Sequence, residues 1–397
     1  MKFDESTLYH VESGLSGERY TLYELATWKN GLAFNKIDFS ETGKPVIKIA
    51  ELNNGINSNT SYTNGEYGDE VALHWDDLLF SWSGNPQTSI DVFRYRLEDG
   101  WLNQHIFKVT ANERLVSKDF LYYVLKCLKP FFTEIATNKQ TTGLGHVTLA
   151  DLKRMSLIVP ERSVQNKIVT ILKPIDDKIE VNNEINKNLE QQADAIFSKA
   201  YNSSTNQQPF TSMIKVLGGG TPKTGTPDYW NGPIPFFTPK DVGDPYAFRT
   251  EKYITESGLE HCNSRLYPIN TSFVTARGTV GKVSLAGVPM AMNQSCYALV
   301  SDVIDPLMVY FYALKAVSSL KYKASGAVFD AIVTRDFDTE IINVLSDSDS
   351  QQVTEAITPM MKAIHNNAAE NIRLSELRDA LLPRLMSGEI DVSNIDL

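Results

Sequence analysis

The chain carries one long pattern twice, and this duplication restricts its fold more than any other feature. Pro174, Ile179, Asn182, Asn186, Leu189 and Ala195 recur 185 positions later as Pro359, Ile364, Asn367, Asn371, Leu374 and Ala380. Upstream in each half, Pro45 and Asn103-Gln104 recur 190 positions later as Pro235 and Asn293-Gln294. A long unit used twice predicts an approximate internal two-fold, which suits a partner that is itself two-fold in outline.

The repeat ends in a helical signal. Ile168, Leu172, Ile175, Ile179, Asn182, Asn186, Leu189, Ala193 and Ile196 step by four and three in alternation. Val353, Ile357, Met360, Ile364, Asn367, Asn371, Leu374, Arg378 and Leu381 keep the same steps. A heptad seam sustained over about four heptads is the mark of a coiled coil. Two copies with the same polar interruptions favour helices that pack on each other. In an antiparallel pair the midpoints meet, so Asn182, Asn186, Asn367 and Asn371 are expected to face one another and fix the register, because a slipped pairing buries an amide without a partner. Pro174 and Pro359 fall inside the pattern, where each removes a hydrogen bond at a cost of about 3 kcal/mol, and predict a kink or break. A helix of about 25–35 residues would span roughly 40–50 Å and act as a ruler between two globular heads.

Each helix follows a mixed region rich in turns and short β-type runs, such as 45–49, 234–238, 272–275 and 296–300, with helical patches at 120–128 and 307–317. The fold class expected is α+β: two globular domains separated by two long antiparallel helices in a pseudo-two-fold internal repeat. The boundaries expected are 1–160 for the first head, 161–202 for the first helix, 203–345 for the second head and 346–397 for the second helix. The polar run 203–209 reads as the linker.

Composition narrows the function. At 397 residues, 42% hydrophobic and 22% charged, the chain has the make-up of an ordinary globular protein of two or three domains. No stretch approaches the roughly 20 apolar residues that span a bilayer. The polar N-terminus is no signal peptide. Cys127, Cys262 and Cys296 form no CxxC pair, so a cytoplasmic location without a disulfide framework or zinc site is expected. The net charge of −10 speaks against nucleic acid, but the acid is concentrated in the first head and the tail, while the second head is balanced.

No catalytic constellation stands out. Gly218-Gly219-Gly220-Thr221-Pro222 lacks the spacing and the lysine of a phosphate loop, and Asn85-Pro86-Gln87 is not an amino-methyltransferase motif. The six histidines are scattered without metal-ligand spacing. The heads instead carry groups suited to polar recognition: Lys36, Lys44, Lys48, Asn53, Asn54, Ser83 and Asn85 in the first, and Lys223, Thr224, Tyr229, Lys240, Arg249, Arg277 and Lys282 in the second. Asn, Arg and Lys pair with base edges, and Lys or Ser with phosphate.

Gly219-Gly220-Thr221-Pro222 with Tyr229-Trp230-Asn231-Gly232, then Ile234-Pro235-Phe236 and Thr238-Pro239-Lys240-Asp241, look like the opening of a target recognition domain. With Arg277-Gly278-Thr279-Val280-Gly281-Lys282, Met292-Asn293-Gln294 and Leu381 to Ile390, the chain resembles the specificity subunits of type I restriction–modification systems over essentially its whole length. The first head departs from the pattern: Ser81-Trp82-Ser83-Gly84 replaces the usual Arg-Gly turn, and no Gly-Gly-Thr-Pro occurs. The resemblance implies two domains that each read half of a split, asymmetric site in double-stranded DNA. The paired helices would set a gap of about 12–15 base pairs at roughly 3.4 Å each. It implies two methyltransferase (M) subunits and further restriction (R) subunits as partners, with no membrane. It also implies S-adenosylmethionine, ATP and Mg2+ on those subunits and no cofactor, metal or catalytic residue in this chain. A type IIB-like specificity subunit and a scaffold that does not touch DNA are the alternatives.

Overall fold

The computed structural model describes residues 9–10, 14–140, 143–243, 245–323 and 331–392. The chain divides into two compact units: residues 1–177 with 374–397, and residues 178–373. Each unit therefore holds one head and part of each long helix.

The heads share one frame. In the first unit an antiparallel sheet runs in the order Ala26–Asn30, Ile106–Ala111, Leu78–Ser81, Asp91–Arg94. In the second unit the corresponding order is Lys215–Gly218, Cys296–Val300, Ser272–Thr275, Val283–Ala286, extended by Tyr246–Ala247. Beside each lies a small sheet built on a parallel pair. Val46 and Ile47 register with Trp101 and Leu102, and 190 positions later Phe236 and Phe237 register with Ala291 and Met292. Pro45 and Pro235 each stand one residue ahead of that ladder, where the parallel pairing does not call on the missing N–H. Asn103 N donates to Ile47 O at 3.0 Å and Asn293 N to Phe237 O at 2.9 Å, so the repeated asparagines tie the ladder to the turn that follows.

Helices complete each head. Lys118–Cys127 is capped by Ser117, whose Oγ accepts from Phe120 N, and it buries Phe120 through Leu125. Pro306–Lys323 buries Leu307 through Ala313, with Phe311 stacked on Phe197 of the first long helix at 5.3 Å.

The long helices run from Arg162 to Ser203 and from Asp347 to Met386, 42 and 40 residues. At about 1.5 Å per residue each is roughly 60 Å long, more than the 25–35 residues expected. The extra turns belong to the heads. Ile168, Leu172, Leu382 and Leu385 enter the core of the first unit, and Ala193, Phe197, Val353 and Ile357 that of the second. The expected breaks do not occur, because both helices are continuous through Pro174 and Pro359. Both prolines are exposed, as are Thr170 and Glu355, whose carbonyls lose their helix partners, so the freed groups belong to residues open to solvent.

Each described seam position is buried or half-buried. In the second unit Asn182 Nδ2 donates to Asn371 Oδ1 at 2.8 Å, and Asn367 Nδ2 donates to Asn186 Oδ1 at 2.9 Å. The two bonds are related by the 185-residue repeat, which makes the pair antiparallel with a local two-fold between them. Asn182 also donates to Glu370 Oε2 at 2.8 Å, but its own Oδ1 is buried without a partner. In the first unit Asp176 joins the helices by accepting from Arg378 at 2.9 Å and from Tyr123 Oη at 2.9 Å. Burial opposes the Arg378 charge, but pairing with Asp176 outweighs it and holds the guanidinium pKa above its ordinary value.

The polar run read as a linker is part of a sheet: Gln207–Pro209 pairs antiparallel with Ile341–Asn343. The second helix stops at Met386, two residues before Gly388, whose φ of +77° suits glycine, and Ile390 N donates back to Arg384 O at 3.0 Å. No helix among the described residues is long and apolar enough to cross a membrane.

Candidate nucleic-acid interface

In each head the strand that ends at Ser81 or Thr275 runs into a turn held against the start of the next strand. Trp82 N donates to His105 O at 3.1 Å, and in the second head Ala276 N donates to Ser295 O at 2.8 Å. This register sets Ser83-Gly84 in the place of Arg277-Gly278. Both glycines have positive φ, +143° and +79°.

In the second head the turn opens onto a depression of about 320 Å3 lined by residues that include Thr238, Lys240, Lys252, Arg277, Asn293 and Ser295. Asp241 holds the Thr238 turn by accepting from Thr238 N at 2.8 Å and Thr238 Oγ1 at 2.6 Å. A neighbouring depression of about 260 Å3 is lined by Thr224, Trp230, Asn231, Glu251, Lys252 and Tyr253. Glu251 and Lys252 line both, so Thr224, Lys240 and Arg277 belong to one continuous surface. Lys240 approaches Glu251 at 3.3 Å, an exposed pair of little energetic weight. Tyr229 stacks on His261 with centroids 5.0 Å apart, and Lys252 stands over the Trp230 ring at 5.7 Å. Lys223 and Arg249 are exposed, and the Lys223 carbonyl accepts from Trp230 Nε1 at 3.2 Å. Lys282 lies at the far end of the Arg277 turn, where burial and then Lys282 itself depress the Lys321 ammonium. The surface thus combines cations, amides, hydroxyls and an indole, which suits phosphates and base edges.

The first head is built differently on the same frame. Lys44 Nζ stands 4.7 Å over the Trp101 ring, and Lys48 Nζ bonds Ser61 Oγ at 3.0 Å beside Phe39. Lys36 is exposed, as are Asn53 and Asn54 at the end of the short helix Ile49–Asn54. Asn85 Oδ1 accepts from Gln87 N at 3.0 Å and Thr88 N at 3.3 Å, so that oxygen holds its own turn. Ser83 is 5% exposed, and its Oγ pairs with His146 Nδ1 at 2.8 Å. Lys252, Ser295, His105 and His146 are not among the residues that the sequence brings out as candidates, whereas Thr238, Trp82 and Asn293 stand in its motifs without being assigned a contact. In both heads the repeated Asn103 and Asn293 mark this place. Among the described residues no group of acidic, histidine or cysteine side chains could hold a metal ion.

Comparison with known proteins agrees with this architecture. The family model described as type I restriction modification DNA specificity domain matches twice, over residues 17–191 and 209–375. The chain belongs to this family: it is a DNA specificity subunit of the type I restriction–modification class. It is similar to the type I restriction enzyme HindI specificity subunit of Haemophilus influenzae, 23% identical over 75% of this chain and 84% of that protein. It is also similar to the type I restriction enzyme MjaIX specificity subunit of Methanocaldococcus jannaschii, 28% identical over 41% of this chain and 39% of the relative. The crystal structure of the type I restriction–modification S subunit from M. genitalium matches 94% of this chain and 96% of its own, with a TM-score of 0.57 at 13% identity, which supports the fold.

Proposed function

We propose that each head reads one half of a split, asymmetric sequence in double-stranded DNA while the paired helices set the unread gap. Residues 1–160 and 203–345 are assigned as the two target recognition domains, and 161–202 with 346–397 as the helices that separate them. In the second head Thr224, Lys240 and Arg277 carry the contacts, with Lys223, Tyr229, Arg249 and Lys282 around them. In the first head Lys36, Lys44, Lys48, Asn53, Asn54 and Asn85 form the corresponding candidate set, and Ser83 leaves it because it is buried with its hydroxyl on His146. The helices dock two methyltransferase (M) subunits, which bring S-adenosylmethionine and methylate adenine. Restriction (R) subunits join them with ATP and Mg2+ for translocation and cleavage in the cytoplasm, and this chain supplies specificity without catalysis. One observation supports the reading above all: the same ladder occurs 190 positions apart, with different side chains displayed on it. A repeated frame with diverged display is what reading two unlike half-sites requires.

The test is genome-wide adenine methylation in cells that express the chain with its M subunit, against cells with the M subunit alone. A split motif that appears only with the chain supports the reading. A soluble complex that leaves no motif refutes it.

A further inference from the structure

The register equivalence raises a question about the first head: what stands where the second displays Arg277? Ser83, its counterpart, is buried, and its hydroxyl is engaged by His146. Gly145–His146 reaches this place by pairing antiparallel with Ser83–Gly84, so His146 lies over the turn. What remains exposed is His105, the counterpart of Ser295. Its backbone has φ +75°, a conformation that non-glycine residues rarely adopt. Its ring lies 5.4 Å from the Trp82 indole, and the His146 ring lies 5.9 Å from the same indole. Trp82 is fixed in turn by Nε1 donating to Asn30 Oδ1 at 2.9 Å and by stacking on Phe107 at 5.5 Å. The imidazole of His105 therefore stands against a rigid aromatic wall.

We propose that His105 is a specificity-determining residue of the first head, taking the base-edge contact that the second head makes with Arg277. The assignment rests on the two-head reading above. Burial and then the neighbouring His146 lower the His105 pKa, which favours the neutral ring with one donor and one acceptor nitrogen. Arg277 offers donors alone. A donor-only fork suits the paired acceptors of guanine, whereas a neutral imidazole matches an edge that presents a single acceptor or a donor. The two half-sites are thus expected to differ in base class at the equivalent position.

The test uses the chain assembled with its M subunits and a duplex carrying its mapped site, competed by duplexes altered in one half at a time. His105→Gly removes the side chain at a backbone conformation that glycine adopts freely, and His105→Asn keeps a donor and an acceptor in a residue that tolerates positive φ. The expected result is that His105→Gly loses tenfold or more of its discrimination in one half only, His105→Asn keeps most of it, and Arg277→Ala relaxes the other half. His105→Gly discriminating like the wild type in both halves, or relaxing the same half as Arg277→Ala, overturns the assignment of His105 alone. A wild-type complex without selectivity in either half overturns the two-head reading and the assignment with it.

Discussion

Replacing Asn182 by leucine separates two roles of a polar seam. Asn182 is fully buried, and its Nδ2 makes two bonds of 2.8 Å while its Oδ1 has none. Leucine in its place buries an apolar side chain, worth about 1.5–3 kcal/mol, and removes the orphaned oxygen. Against this stand two lost hydrogen bonds of roughly 1 kcal/mol each. Their acceptors, Asn371 and Glu370, are half-buried and accessible to water, and Glu370 keeps Lys178 at 3.4 Å. The net expectation is a gain of about 1 kcal/mol, a rise in melting temperature of about 2–4 °C for a unit of this size. Asn182→Ala gains no such burial and is expected to melt lower than the wild type. Thermal unfolding of the full chain measures both. Cysteines at Leu189 and Ile364, against Leu189 with Ile357 one heptad away, report the register. The double variant Asn182→Leu with Asn367→Leu is expected to cross-link in both registers, the wild type only in the first. If Asn182→Leu melts as low as Asn182→Ala, the amide stabilises the pair, and the reasoning from its orphaned oxygen is wrong.

Acid sensitivity follows from Asp76. Burial alone would raise its pKa, but Lys118 and Arg96 hold it down at about 2. A carboxylate depressed in the fold contributes stability above its ordinary titration range and loses it as pH falls toward 2. Asp76→Asn should therefore flatten the decline of melting temperature between about pH 4 and 2; an unchanged slope counts against the network. Pro174→Ala restores an N–H for Thr170 O in an unbroken helix and is expected to stabilise by about 1–2 kcal/mol in a denaturant titration, whereas a loss would mean that the proline shapes the seam. A Cβ at Gly388 would lie 2.9 Å from Gly14 C and Leu15 N, in addition to the strain at φ +77°. Gly388→Ala is accordingly expected to cost about 1–3 kcal/mol, and an unchanged midpoint would show that the contact yields freely.

The parts of this molecule that sequence reveals are those with a local period or a backbone-determined residue. The heptad seam needs only the spacing from Ile168 to Ile196. Pro45 with Pro235 and Asn103 with Asn293 mark one ladder because the backbone at those positions is the same in both heads. Other features depend on contacts between distant residues. The helix continues through Pro174, which lies on its exposed face, and residues 207–209 become a strand because residues 341–343 lie alongside them. At the candidate interface, composition alone brings out Thr224, Lys240 and Arg277, which the fold places on one surface. Nothing near Ser83 in sequence tells that a histidine 63 residues later covers it, or that His105 is left exposed in its place.

The division of the chain into its two units bears on synthesis. Residues 178–373 form one uninterrupted stretch, so the second unit has all of its parts once residue 373 leaves the ribosome. The first unit, begun earlier, still lacks Leu382, Leu385 and Val392, which lie 7%, 1% and 1% exposed in its core. The half of the protein that is made first is thus the last to be finished. A product truncated within its final turns would carry a complete second unit beside an open apolar core, a ready mark for proteolytic removal.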